Sequence, residues 1–469
     1  MGWAACAASA LFGCSVGPNY VRPTAESPSA YKEAIPWKPA EPRDQEPRGN
    51  WWEVFKDPKL DALVAPVEVS DQTIKAAEAR VRAARALTQQ ARAALFPLVS
   101  ASASASRSSS RGASGSSVNT TGQGGGPRND YNVALNVSWE VDLWGRIRRT
   151  VEASEASAQA SVADLESAKL SAQALLAEDY FLLRVQDAQI RLLNDTVDAY
   201  QRSLQLTRNQ YAVGVAARAD VAQAETQLKS TQAQAIDAGV QRAQLEHAIA
   251  VLFGKAPADF SVTAEVAPTE FPAIPPGLPS ELLERRPDIA AAERRAAAAN
   301  AQIGVAEAAF FPSLTLSATG GFQSSVLSQL FSLPSRYWSL GAALAQTIFD
   351  AGLRRAQTAQ AIATYEENVA TYRQTVLNGF QEVEDNLAAL RILEQEASVQ
   401  DEAVKSARES LAITLNQYRA GTANYLAVVV VQATALANER TALAIQSRRL
   451  FASVALIKAL GGGWNAAAL

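Results

Sequence analysis

The chain is written twice, and an internal duplication constrains a fold more tightly than composition can. "AAEARVRAARAL" (76–87) returns as "AAAERRAAAANA" (290–301), and "ARAALFPLVSASAS" (91–104) as "AEAAFFPSLTLSAT" (306–319). Glu78 thereby matches Glu293, and Phe96-Pro97 matches Phe311-Pro312. "VDLWGRIRR" (141–149) is echoed by "FDAGLRR" (349–355), and "NQYAVG" (209–214) by "NQYRAG" (416–421). The offset between copies falls from 215 to 207 along the way (293 − 78 and 416 − 209), so the first copy carries the longer loop. That loop is the Ser/Gly/Asn tract 107–130. Its "GQGGG" has no strand-to-helix context and no following Lys-Ser/Thr, so it is not a phosphate loop.

Each copy reads helix, strand, loop, strand, long helix, turn, helix. In "YNVALNVSWEVDLW" Tyr131, Val133, Leu135, Val137, Trp139 and Val141 alternate with Asn132, Ala134, Asn136, Ser138, Glu140 and Asp142. "LVSASASASRS" alternates small apolar residues with serine, and "SLTLSATGGF" puts Leu314, Leu316, Ala318 and Phe322 on one face. The fourth strand, in "YWSLGAALAQTIF", has a less clear phase. Segments of about ten residues with one apolar and one polar face suit a transmembrane barrel, and they also suit a soluble hairpin covering a core. The spacings Gly145–Gly214 and Gly352–Gly421 are identical at 69 positions (214 − 145 and 421 − 352), with no proline inside either. A continuous helix of that length measures roughly 100 Å. Both runs end at glycine, the residue that stops a helix most readily, and return helices follow over 218–252 and 423–460.

Four strands cannot close. Membrane barrels have at least about eight strands, and an open edge in lipid leaves backbone groups unpaired at several kcal/mol each. Strands that enter a membrane must therefore be shared between copies. Two copies would supply eight and three would supply twelve. The same assembly would gather the long helices around a wet interior, forming a conduit.

Composition removes the competing classes. The 469 residues are 48% hydrophobic and 19% charged with a net charge of −4, which gives no footprint for nucleic acid and no sign of disorder. His247 is the only histidine, so histidine-based catalysis and zinc clusters have almost no material, and no cofactor is expected. Glu382, Glu384 and Asp385 read as solvated helix charge, and not as an acid–base pair. The uncharged run 420–438 has membrane-span length, but Thr422, Asn424, Gln432, Thr434 and Asn438 interrupt it. Cys6 and Cys14 are the only cysteines, both within a short apolar run that suits a signal peptide. No Lys or Arg precedes that run, as expected of a truncated signal. "LFGC" resembles a lipobox, which makes Cys14 the lipidation site; Ser15 after it favours delivery to the outer membrane.

Taken in order, "GCSVGPNYVRP" (13–23), "NWWEVFKDPKLDALV" (50–64), "LPSELLERRPDIAAAE" (278–293), "IGVAEAAFFPSLTLSATGGF" (303–322), the twin turn motifs and "LIKALGGGW" (456–464) resemble TolC-type outer-membrane efflux proteins. The match is to the lipoprotein branch serving resistance–nodulation–division pumps. The resemblance implies a mostly α fold with a transmembrane β part, assembled as a homotrimer. A twelve-stranded barrel would lie in the outer membrane above a twelve-helix periplasmic tunnel. It implies a periplasmic adaptor and an inner-membrane pump as partners, contact with outer-membrane lipid, and no chemistry. The boundaries expected are a signal peptide over 1–13, a lipidated extended segment and belt over 14–70, and a first repeat over 71–253. A Pro-rich linker over 254–286, a second repeat over 287–460 and a tail over 461–469 follow. Strands are expected near 98–108, 130–142, 313–324 and 336–349.

In that family the hairpin turns form the periplasmic tip, where the tunnel narrows. The resemblance places Tyr211, Gly214, Arg218 and Asp220 on the first turn, and Tyr418 and Gly421 on the second. Asp220 matches an acidic position that in some members is linked to the tyrosine matching Tyr418. Ala423, Ala427 and Val430 stand where charged residues are common, so an anionic ring is not expected. Closure by apolar packing of Leu426, Val428 or neighbours is expected instead. The alternative reading is a periplasmic coiled-coil scaffold or adaptor without a pore.

Overall fold

The computed structural model describes residues 15–25, 27–28, 30–34, 50–109, 127–265 and 285–462. Cys6, Cys14, the "GQGGG" tract and most of the Pro-rich linker lie outside the described residues. Two compact units emerge, and each takes part of both sequence repeats. One comprises residues up to Pro23 with Arg82–Ala160 and Glu293–Thr371. The other comprises Thr24–Val81, Ser161–Ala292 and the chain from Tyr372.

The first unit holds a four-stranded antiparallel sheet in the order β1 (Leu98–Ser108), β2 (Arg128–Val141), β3 (Ser313–Ser324) and β4 (Arg336–Ala345). Its register keeps the two faces chemically separate. Val99 lies opposite Val137, Val137 opposite Ala318, and Ala318 opposite Leu340. One residue along, Ser100, Asn136, Thr319 and Ser339 form the corresponding row on the other face. Side chains on the polar face bond laterally. Asn136 donates to Ser102 at 3.0 Å and accepts from Thr319 at 3.2 Å, while Gln323 donates to Asp130 at 3.0 Å. The register settles the phase of β4, placing Trp338, Leu340, Ala342 and Leu344 on the apolar face. β4 ends at Ala345, short of the expected 349. The Asp350 carboxylate accepts from the Gly352 and Arg354 amides, and Arg354 donates to the Thr347 carbonyl, which turns the chain into the next helix.

Among the described residues nothing covers the apolar face: Trp338, Leu340 and Leu344 are 73%, 75% and 68% exposed. The outer edges of β1 and β4 also have no strand neighbour among the described residues. Aromatic residues gather where the strands meet the helices. Trp139 donates its indole N–H to the Leu95 carbonyl at 3.0 Å, and Trp144 donates to Pro312 at 2.8 Å while stacking on Phe311. The N-terminal stretch is tied to this level. The Val16 amide donates to the Trp144 carbonyl, buried Arg149 donates to Gly17 and Asn19, and Tyr20 donates to Glu293.

Helices follow the duplication residue for residue. After α1 (Pro58–Val64), the single turn α2 (Val67–Ser70) and α3 (Gln72–Ala93), the first copy has α4 (Arg146–Ala212, 67 residues) and α5 (Arg218–Leu252, 35 residues). α6 (Pro287–Ala308) opens the second copy, and α7 (Leu353–Arg419, 67 residues) and α8 (Tyr425–Ala459, 35 residues) match the first pair in length. Strong helix formers and the absence of proline permit these lengths.

In the second unit, the "NWWEVF" segment forms a 3-10 turn that buries Trp51, Trp52 and Phe55 among Tyr180, Phe181, Tyr372 and Val383. Fully burying one such side chain contributes about 1.5–3 kcal/mol, so these residues are core and not decoration. Polar anchors hold the flanking segments. Arg242 donates to Asp187 at 2.7 Å and to the Val262 carbonyl at 2.7 Å. Buried Arg286 bridges Asp288 and Glu382, each at 2.6 Å, and donates to the Ala459 carbonyl. Glu384 accepts the amides of Lys32 and Glu33 at 2.6 and 2.9 Å. The helix carboxylates Glu382 and Glu384 are thus structural acceptors. No helix of the described residues is long and apolar enough to cross a membrane, and 425–438 is simply the start of α8.

Candidate functional site: the paired hairpin turns

Both turns lie in the second unit and stop their long helices with the same pair of backbone bonds. In the first, the Val215 amide donates to Gln210 at 2.8 Å and Gly214 to Tyr211 at 3.0 Å. In the second, Thr422 donates to Gln417 at 2.9 Å and Gly421 to Tyr418 at 3.1 Å. This is the glycine-terminated Schellman arrangement. It requires a positive φ, which Gly214 (80°) and Gly421 (75°) supply.

The copies part at the start of the return helix. The Asp220 carboxylate accepts the Ala217 amide at 3.0 Å, so α5 is capped by an anion in its first turn. α8 is capped by the neutral side chain of Asn424, which accepts the Ala427 amide at 3.0 Å. Either device satisfies an otherwise orphaned amide and suits the positive end of a helix. The charge difference between the two turns is therefore a difference in capping.

Between the hairpins sits an apolar plug of Tyr200, Leu204, Val221, Ala224, Leu228, Tyr418, Tyr425 and Val428. Tyr418 and Tyr425 pack at 5.4 Å between ring centroids. The Tyr418 hydroxyl donates to Thr207 Oγ1 at 3.1 Å, and Thr207 donates to the Ser203 carbonyl at 3.0 Å. Burial raises the pKa of Tyr200, Tyr418 and Tyr425 above the usual phenol value, so all three remain protonated.

This geometry redistributes the residues singled out in the sequence. Tyr418 joins the two hairpins, but its hydroxyl bonds Thr207, while the Asp220 carboxylate caps its own helix start. Val428 is fully buried in the plug and holds the hairpins of one chain together, so it is unavailable to contact another surface. Leu426 and Val430 are more than half exposed and lie four residues apart on α8. Tyr211 is partly exposed, Val213 and Val215 protrude from the first turn, and Arg218 is exposed at the start of α5. Sequence reasoning missed Thr207, Tyr200 and Tyr425. The spacing Tyr425–Val428 and Val221–Ala224–Leu228, three to four residues apart on each return helix, was the available signal.

An open sheet with one apolar face, together with duplicated hairpins of two long helices, makes up the elements of an outer-membrane channel subunit. The chain belongs to the outer membrane efflux protein family, whose profile matches residues 65–255 and 278–462. It is 32% identical over 457 residues to the probable efflux pump outer membrane protein TtgC of Pseudomonas putida, covering 97% of this chain and 93% of that protein. It is 33% identical over 416 residues to the pyoverdine export outer membrane protein OpmQ of Pseudomonas aeruginosa, covering 88% and 87%. The outer-membrane channel OprN superposes with a TM-score of 0.88 at 32% identity, covering 96% of this chain and all of the other.

Proposed function

We propose that this protein is the outer-membrane exit channel of a tripartite efflux system, a passive conduit gated at its hairpin turns. The observation that carries this is the sheet. Among the described residues its apolar face is uncovered, its other face is hydrogen-bonded and polar, and both its edges are unpaired. Three copies would close those edges into a barrel of twelve strands with the apolar face toward lipid and the polar face toward the pore. The helical hairpins of the same three copies would form the periplasmic tunnel. Cys14 would carry a lipid, a reading supported by Ser15 and Val16 lying at the aromatic level where strands meet helices.

The adaptor and the inner-membrane pump are the partners this function requires. The protruding Val213 and Val215 suit docking of an adaptor at the first turn, and Leu426 with Val430 suit apolar closure of the second. The pore supplies no chemistry; the pump supplies the energy and selects the compound. Two measurements test the proposal. Native mass spectrometry should give a trimer with acyl mass at Cys14, and planar-bilayer recordings should give discrete conductance steps. A monomer with no conductance would favour the scaffold reading instead.

A further inference from the structure

The two edge strands end their apolar stripes in the same way. On β1, Val99, Ala101, Ala103 and Ala105 share the apolar face and the next position on that face is Arg107. On β4, Trp338, Leu340, Ala342 and Leu344 share it, and the residue before Trp338 on that face is Arg336. Each stripe covers roughly 20 Å along its strand, and each arginine stands at the end away from the helices. Tyr131 and Trp338 lie just inside this limit, as aromatic residues do at a membrane–water boundary. Both arginines are exposed, and among the described residues neither guanidinium makes an ion pair or hydrogen bond.

No acid shares their face. The four strands contain two acidic residues, Asp130 and Glu140, and both are on the polar side. Asp130 is held by Gln323, and Glu140 by Arg146 at 2.6 Å. The outward rim therefore carries an uncompensated positive charge directly beside an apolar band. Closing the sheet between copies, as the proposed function requires, puts β4 of one copy beside β1 of the next. Arg336 and Arg107 then stand on neighbouring strands, where like charges repel unless an anion lies between them.

Resting on that reading of the sheet, we propose that Arg107 and Arg336 form a seam site for the headgroup phosphate of an anionic glycolipid in the outer leaflet, with its acyl chains along the apolar band. A planar guanidinium binds phosphate in a bidentate manner, and two of them match a phosphomonoester dianion.

The test titrates the full-length protein in detergent with a phosphorylated glycolipid, with the same lipid dephosphorylated, and with inorganic phosphate, and follows trimer dissociation on heating. The wild type should be protected by the phosphorylated lipid only. R107Q should weaken that binding roughly fivefold and the double variant R107Q/R336Q about thirtyfold. Single-channel conductance is recorded for each protein, since none of these residues lines the pore. Equal protection by the dephosphorylated lipid or by inorganic phosphate overturns the proposal, as does a double variant that conducts normally and binds the lipid like wild type. Absence of channels from the wild type would instead remove the underlying reading of the sheet.

Discussion

Replacing Tyr418 by phenylalanine isolates one hydrogen bond at the join between hairpins. The ring is 4% exposed and its packing on Tyr425 survives the change; only the bond to Thr207 Oγ1 at 3.1 Å is lost. Thr207 keeps its donation to the Ser203 carbonyl, so no buried donor is orphaned. The expected loss is therefore the net value of an ordinary buried bond, about 1 kcal/mol per protomer. In the proposed trimer, opening that separates the hairpins of all three copies together would cost the closed state about 3 kcal/mol, or roughly 150-fold in the closed-to-open ratio. Single-channel open probability reads this directly. Thr207→Val leaves the buried Tyr418 hydroxyl without its acceptor and should shift the ratio further, and the double variant should fall back toward Tyr418→Phe, because both changes remove the same bond. Additive effects of the two substitutions, or an unchanged open probability in Tyr418→Phe, would refute this account of closure.

Three further outcomes follow from the same geometry. Gly461→Ala should destabilise far more than Gly421→Ala in thermal unfolding. A Cβ at 461 would meet the Arg285 carbonyl oxygen at 2.1 Å, whereas one at 421 meets nothing within 4 Å and costs only backbone strain of about 1–2 kcal/mol. Burial raises the pKa of Asp179 from 3.8 to about 6. The folded state then binds the extra proton between those values, so this group's contribution to stability falls as pH rises from about 4 to 6 and is constant above. Asp179→Asn should raise the melting temperature at pH 7 and flatten that slope. The second turn from Ala423 to Gln432 has no charge and its cap is neutral, so multivalent cations at low concentration should hardly block the pore; strong block in bilayer recordings would contradict this.

Much of the architecture was legible because it is periodic. Alternation in 131–141 gave β2 its faces, and the equal spacing between capping glycines gave two helices of equal length. Other features depend on which groups meet across the fold. The end of β4 was overestimated because Thr347 and Asp350 are recruited by Arg354, a contact that no local pattern announces. Arg286 and Glu382 lie 96 positions apart, and only folding reveals that the helix carboxylate is a structural acceptor.

The hairpin turns divide along the same line. Sequence alone determined that two helices stop at Gly214 and Gly421, since a positive φ after an unbroken helical run is a local demand that glycine satisfies. It also determined that one turn is followed by charge and the other is not. Tertiary structure decided which residues face whom. Val428 turns inward to hold one chain's hairpins together, Leu426 and Val430 are left outside, and Tyr418 meets Thr207 while Asp220 caps its own helix. The reason is physical: backbone conformation is set by neighbours in sequence, whereas burial and the choice of hydrogen-bond partner are competitions among groups that only the folded chain brings together.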